Sequence, residues 1–252
     1  MIIAYFTHDI KTLKACSLTC YTWYIAAVPH LHHTFVFREA DPGQNRAALK
    51  PLSKRHALGL LPLTKEIRIL QLHTKPRWFL PKSFNRRDLR YFSAFTNVRS
   101  LTLQQLDIHS FIPGIERYFG HFSPTLRSIT LETPRCTPRE LSHFFSLFTN
   151  LDDIEVQLFV HLNTDAPDDA LAPISTPKLQ GQLTLSSFTA VDTWEDLVAS
   201  CGLRFRSIHL HPVSKCAPVL LSACAETLET LRIEPDSETG KGPCLDSTAG
   251  LS

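Results

Sequence analysis

Glycine is scarce in this chain, nine among 252 residues. So few leave little room for the Gly-rich loops whose backbone amides cradle phosphates, and neither a G-x-S-x-G elbow nor an H-E-x-x-H helix occurs. Long apolar runs are missing too. The longest windows, Tyr24–Leu31 and Ala217–Ala225, fall well short of the ~20 residues that span a bilayer, so no membrane association is expected. No basic segment precedes Ile2–Phe6, which Thr7-His8-Asp9 stops at once, and no secretory signal is legible. The seven cysteines (Cys16, Cys20, Cys136, Cys201, Cys216, Cys224, Cys244) form no C-x-x-C pair. An odd, scattered set lying partly in apolar helical patterns points to reduced thiols in the cytoplasm or nucleus, not to a disulfide scaffold. Net charge is nearly absent as well. The 26 Lys and Arg against 24 Asp and Glu leave +2, which excludes polyelectrolyte behaviour of the whole chain.

What is present is apolar and repetitive. Hydrophobic residues make up 43% of the chain, and 16 Phe against 5 Tyr and 3 Trp favour packing by the fully apolar ring. That is enough to bury a sizeable core. With Φ an aliphatic or aromatic residue, the pattern Φ-x-x-Φ-x-Φ recurs along the chain. Its copies are Ile67–Leu72, Val98–Leu103, Leu126–Leu131, Leu151–Val156, Gln180–Leu185, Phe205–Leu210 and Leu228–Ile233. Their last residues are 31, 28, 25, 29, 25 and 23 positions apart. Only the fifth copy breaks the pattern: Gln180 stands where an apolar residue belongs, and Leu179 comes one place early.

The Φ-x-Φ end of each copy alternates as a half-buried strand requires. Between copies the spacing turns helical. Thr137-Pro-Arg-Glu140 has the form of a capping box with Pro at the first helical position, leading into Leu141, Phe144, Phe145 and Phe148. Thr193-Trp-Glu-Asp196 opens a similar segment, and Arg87–Phe95 and Ile115–Phe122 read as short helices. A strand, a helix and a return every ~25–30 residues predict an α/β fold: a right-handed, leucine-rich-repeat-like solenoid of parallel strands and helices. A doubly wound sheet is the competing architecture. The asparagine that would follow each strand in regular repeats is replaced by Lys75, Leu106, Pro134, Phe159, Phe188, Val213 and Asp236, so the repeats are irregular. The expected organisation is a small helical cap at 1–38, a basic connector at 39–66, the solenoid at 67–234 and a polar tail at 235–252.

Within the first segment, Lys11-Thr-Leu-Lys-Ala-Cys-Ser-Leu-Thr-Cys-Tyr-Thr-Trp23, followed by Pro29-His-Leu31 and Phe35-Val-Phe37, resembles the second half of an F-box. It is similar to the version in fungal F-box proteins with irregular leucine-rich repeats. In that family a Leu-Pro dipeptide and a helix lie upstream of the position Ile2 occupies, so the resemblance is to an N-terminally truncated F-box. The resemblance implies a substrate-recruiting adaptor that docks on a Skp-type subunit of a cullin ubiquitin ligase while the repeats hold a protein substrate. It places Ile2, Ile3, Phe6, Leu13, Leu18 and Trp23 against the adaptor. A structural or interaction repeat protein with no ligase role is the alternative.

No residue pattern argues for an enzyme, and no cofactor is expected. His30-x-His-His33 lacks a Cys or carboxylate at the spacing of a zinc site, and His209 with His211 offers two ligands on one strand, short of a metal centre. No metal is therefore expected. Asp165, Asp168 and Asp169 lack the Gly-centred spacing of a calcium loop. Charge is segregated, +9 over Arg38–Arg90 and −8 over Glu132–Asp196. The acidic half would repel a phosphate backbone, so nucleic acid is not the expected partner. The expected binding surface is instead the polar residue between the last two Φ of each copy: Gln71, Thr102, Thr130, Glu155, Thr184, His209 and Arg232. Strand alternation points these away from the core into one ladder.

Overall fold

The computed structural model describes residues 5–6, 9–38, 51, 53–70, 92–106, 108–111, 114–157, 160–161, 178–186, 202–211 and 217–234. It is an α/β structure built on one parallel sheet of eight strands. These are β1 (Thr34–Arg38), β2 (Glu66–Leu70), β3 (Ser100–Gln104), β4 (Ser128–Glu132), β6 (Asp153–Gln157), β8 (Lys178–Ser186), β9 (Gly202–His211) and β10 (Thr230–Ile233). Two short strands, β5 (Arg135–Cys136) and β7 (Val160–His161), pair in a second, two-stranded sheet. In the large sheet each strand pairs in parallel with the next in chain order, and among the described residues the order does not reverse.

Alternation explains the burial. Phe35 and Phe37 align with Ile67 and Ile69, then Leu101 and Leu103, Ile129 and Leu131, Ile154 and Val156, Leu183 and Leu185, Ile208 and Leu210. All of these lie in one buried core, none more than 2% exposed. On the far side of the core lie the aromatic rings that the helical spacing places there. Phe119 and Phe144 meet edge to face at 5.7 Å, and Phe37 stacks on Phe92 at 5.4 Å. Such arrangements suit the ring quadrupoles.

The helices are α1 (Ile10–Ser17), α2 (Tyr21–Leu31), α3 (Ile108–Phe111), α4 (Ile115–Phe119), α5 (Pro138–Ser146) and α6 (Ala217–Ala223). The capping box at α5 forms as its residues require: the Glu140 amide donates to the Thr137 hydroxyl at 3.2 Å, and the Glu140 carboxylate accepts from the Thr137 amide at 2.9 Å. Leu141, Phe144, Phe145 and Phe148 are buried behind it. The segment read as a helix at Ile115–Phe122 is α4 continued by a 3-10 turn. The one expected from Thr193 lies outside the described residues.

A backbone corner recurs before the strands. Two successive amides donate to one carbonyl of the preceding unit: Lys65 and Glu66 to His33, Arg99 and Ser100 to Lys65, Arg127 and Ser128 to Arg99, Asp152 and Asp153 to Arg127. The repeat is therefore one of backbone geometry as well as of side chains. At the other strand end, Gln105 and Thr133 both take φ of 53° as the chain leaves β3 and β4.

The first sequence copy is displaced. Ile67 and Ile69 face the core, in register with Leu101 and Leu103, where the pattern Ile67–Leu72 calls for Leu70 and Leu72. Thr64 stands in the first apolar position of this unit, fully buried, its hydroxyl donating to the His32 carbonyl at 3.2 Å. A hydroxyl in a Φ position is invisible to a hydrophobic template. For the same reason His32 masks an earlier unit whose strand is β1, so the sheet begins one strand before the first copy.

Candidate functional site

The outward face of the large sheet carries three rows of residues that are polar apart from Val36 and Leu70 on its first two strands. The middle row runs Val36, Arg68, Thr102, Thr130, Glu155, Thr184, His209, Arg232. It contains all the ladder residues expected from sequence except Gln71, which lies outside the described residues; the register puts Arg68 at that step. At one end Glu66 ties the first strands together, accepting from Arg68 at 2.6 Å and from the Thr34 hydroxyl at 2.7 Å. Burial pushes the Glu66 carboxyl up, and these two donors, together with the charges of Arg68 and His33, more than offset it, leaving the pKa below its ordinary value.

In the centre the outward positions of β3, β4 and β6 carry Glu132, Asp153 and Glu155 and no Lys or Arg. Burial pushes the Asp153 carboxyl above its usual value, the Ser128 hydroxyl opposes this, and neighbouring Glu155 adds to it. Glu155 accepts from the Gln157 amide at 2.6 Å. At the far end His209, His211, Arg232 and Glu234 gather. The middle of the face is thus an acidic, hydrogen-bonding surface that favours cationic groups.

A different surface lies on the N-terminal helices. Asp9 caps α1, its carboxylate accepting from the Lys11 and Thr12 amides, and α1 packs on α2 through Leu13, Cys16 and Ala27. That cluster is small. Around it Tyr5, Ile10, Leu18, Tyr21, Trp23, Tyr24 and Ile25 stay exposed, seven of the eleven exposed large apolar side chains among the described residues.

The residues expected to face an adaptor divide accordingly. Leu18 is 86% exposed and Trp23 is 38% exposed. Phe6 packs partly against the small cluster. Leu13 is fully buried and joins the two helices, so it is not available to a partner. Ile2 and Ile3 lie outside the described residues.

The chain matches no family model, no curated protein and no solved structure. Its own geometry carries the reading. Among the described residues no helix is long and apolar enough to cross a membrane. Of the cysteines described, Cys16 and Cys224 are buried free thiols, Cys136 is buried in the core, and Cys20 is an exposed free thiol. Asp165, Asp168 and Asp169 fall outside the described residues. One feature that sequence reading missed is Glu234, whose carboxylate meets both His209 and His211. It follows β10 directly, in no motif, and only strand pairing brings it to the histidines.

Proposed function

We propose that the chain is a non-catalytic, protein-binding adaptor, its parallel sheet the inner wall of a right-handed, leucine-rich-repeat-like solenoid. The strict agreement of strand order with chain order supports the solenoid, because a doubly wound sheet reverses its order at a switch point. The recurrent corner, in which two amides share one carbonyl, supports it independently. In this reading the N-terminal helices are an F-box-like cap. They dock on a Skp-type adaptor of a cullin ubiquitin ligase, in the cytoplasm or nucleus, while the polar face receives a protein substrate.

The observation that carries the docking role is the exposed apolar surface around Leu18, Tyr21 and Trp23. Large contiguous apolar exposure marks interaction sites, and aromatic side chains dominate binding hot spots. A cap that only shielded the first strand would have no use for apolar residues on its outer side.

The test is binding of the purified chain to a Skp-type adaptor. Leu18→Ala and Trp23→Ala should each weaken it by about tenfold or more, with thermal unfolding of the sheet unchanged. No binding by the unmodified chain would reject the ligase role and leave an interaction protein without it.

A further inference from the structure

His209 and His211 sit two apart on β9 and therefore project from the same, outward face. Glu234 leaves the end of the neighbouring strand β10. Its amide donates to the Leu210 carbonyl at 3.0 Å, which fixes its backbone beside the two histidines. One carboxylate oxygen lies 3.2 Å from His209 Nε2 and the other 2.8 Å from His211 Nδ1. The ligand atoms of all three residues lie within 4.8 Å of one another. A tetrahedral ion bound at ~2.0–2.1 Å needs its ligand atoms ~3.3 Å apart, so the observed separations require only small side-chain rotations. His209 is 18% exposed, His211 33% and Glu234 37%, half-buried values that allow an ion to enter without opening the sheet.

We propose that His209, His211 and Glu234 bind one divalent transition-metal ion, zinc foremost. Two imidazoles and one carboxylate suit zinc and its neighbours, whereas calcium and magnesium favour all-oxygen sites. Three protein ligands leave a coordination position for water or for a side chain of a bound partner. Arg232 is the group that opposes the ion: its Nη2 lies 3.0 Å from the Glu234 carboxylate. It is 70% exposed and free to swing into solvent. The ion would tie β10 to β9 at the edge of the sheet. The site stands or falls independently of any docking by the N-terminal helices.

The experiment titrates zinc chloride into chelator-stripped full-length chain by calorimetry and follows thermal unfolding alongside. One zinc per chain and a rise in Tm are expected. His211→Ala and Glu234→Ala should each weaken binding by about tenfold or more, by loss of a ligand that even outer-shell changes can cost. Arg232→Ala should tighten binding, and His109→Ala, at a histidine–carboxylate pair elsewhere, should leave it unchanged. If an alanine variant fails to fold, His211→Asn and Glu234→Gln keep the shape and replace it. Absence of binding by the unmodified chain overturns the proposal, as does equal affinity in the ligand variants.

Discussion

His121 lies beside Phe122, ring centroids 3.9 Å apart, and its buried Nε2 has no hydrogen-bond partner among the described residues. Burial holds the imidazole pKa below its ordinary value of 6.5, and a hydrogen bond with the Phe92 backbone opposes this only in part. A histidine with a depressed folded pKa contributes stability that is full above the unfolded value and is lost as pH falls through the folded one. Between pH ~7 and ~5, His121→Leu should therefore lose less stability than the unmodified chain, measured by urea unfolding at both values. Parallel losses in the two proteins would show that another group carries the acid response.

Among the elements, β8 shows how one residue shapes a strand. Its alternation continues unbroken from Leu179 through Gly181 to Leu183 and Leu185, which is why Leu179 comes one place earlier than in other copies. Gly181 takes φ of +91°, and a Cβ there would lie 1.9 Å from the Asp152 carbonyl oxygen. The same carbonyl accepts the Gln182 amide at 2.7 Å. Across the pair, Gly181 and Gln182 face Phe205 and Ser207, so Arg206 is the extra residue of a bulge. Gly181→Ala combines a forbidden contact with a left-handed φ and should cost at least ~1–3 kcal/mol in denaturant unfolding. A change within ~0.5 kcal/mol, the range of ordinary surface substitutions, would show that the strand entry relaxes freely.

Over the whole molecule the core thins toward one end. The core-side residues of the inner strands are essentially unexposed, whereas Leu231 and Ile233 of β10 are 43% and 42% exposed. A strand that has one neighbour among the described residues and a half-covered face opens first. Hydrogen exchange should show β10 amides exchanging at least ~tenfold faster than those of β3 and β4. Equal protection across the sheet would mean that it unfolds as a single block.

Amino-acid order alone determines much of this architecture. Apolar residues at period two, returning every 23 to 31 positions, specify parallel strands with one buried face, and Thr137 with Glu140 starts α5 by local chemistry. Both effects act within a few residues, so they are legible in the chain. Tertiary structure decided the rest. Thr64 takes a core position because its hydroxyl reaches the His32 carbonyl, and half-buried His32 stands at the matching position before β1, which displaces β2 from its sequence copy and adds β1 to the sheet. Gly181 is required by a carbonyl 29 residues earlier in the chain. Glu234 joins His209 across 25 residues because adjacent strands of the sheet are one repeat apart, a juxtaposition that no local pattern encodes.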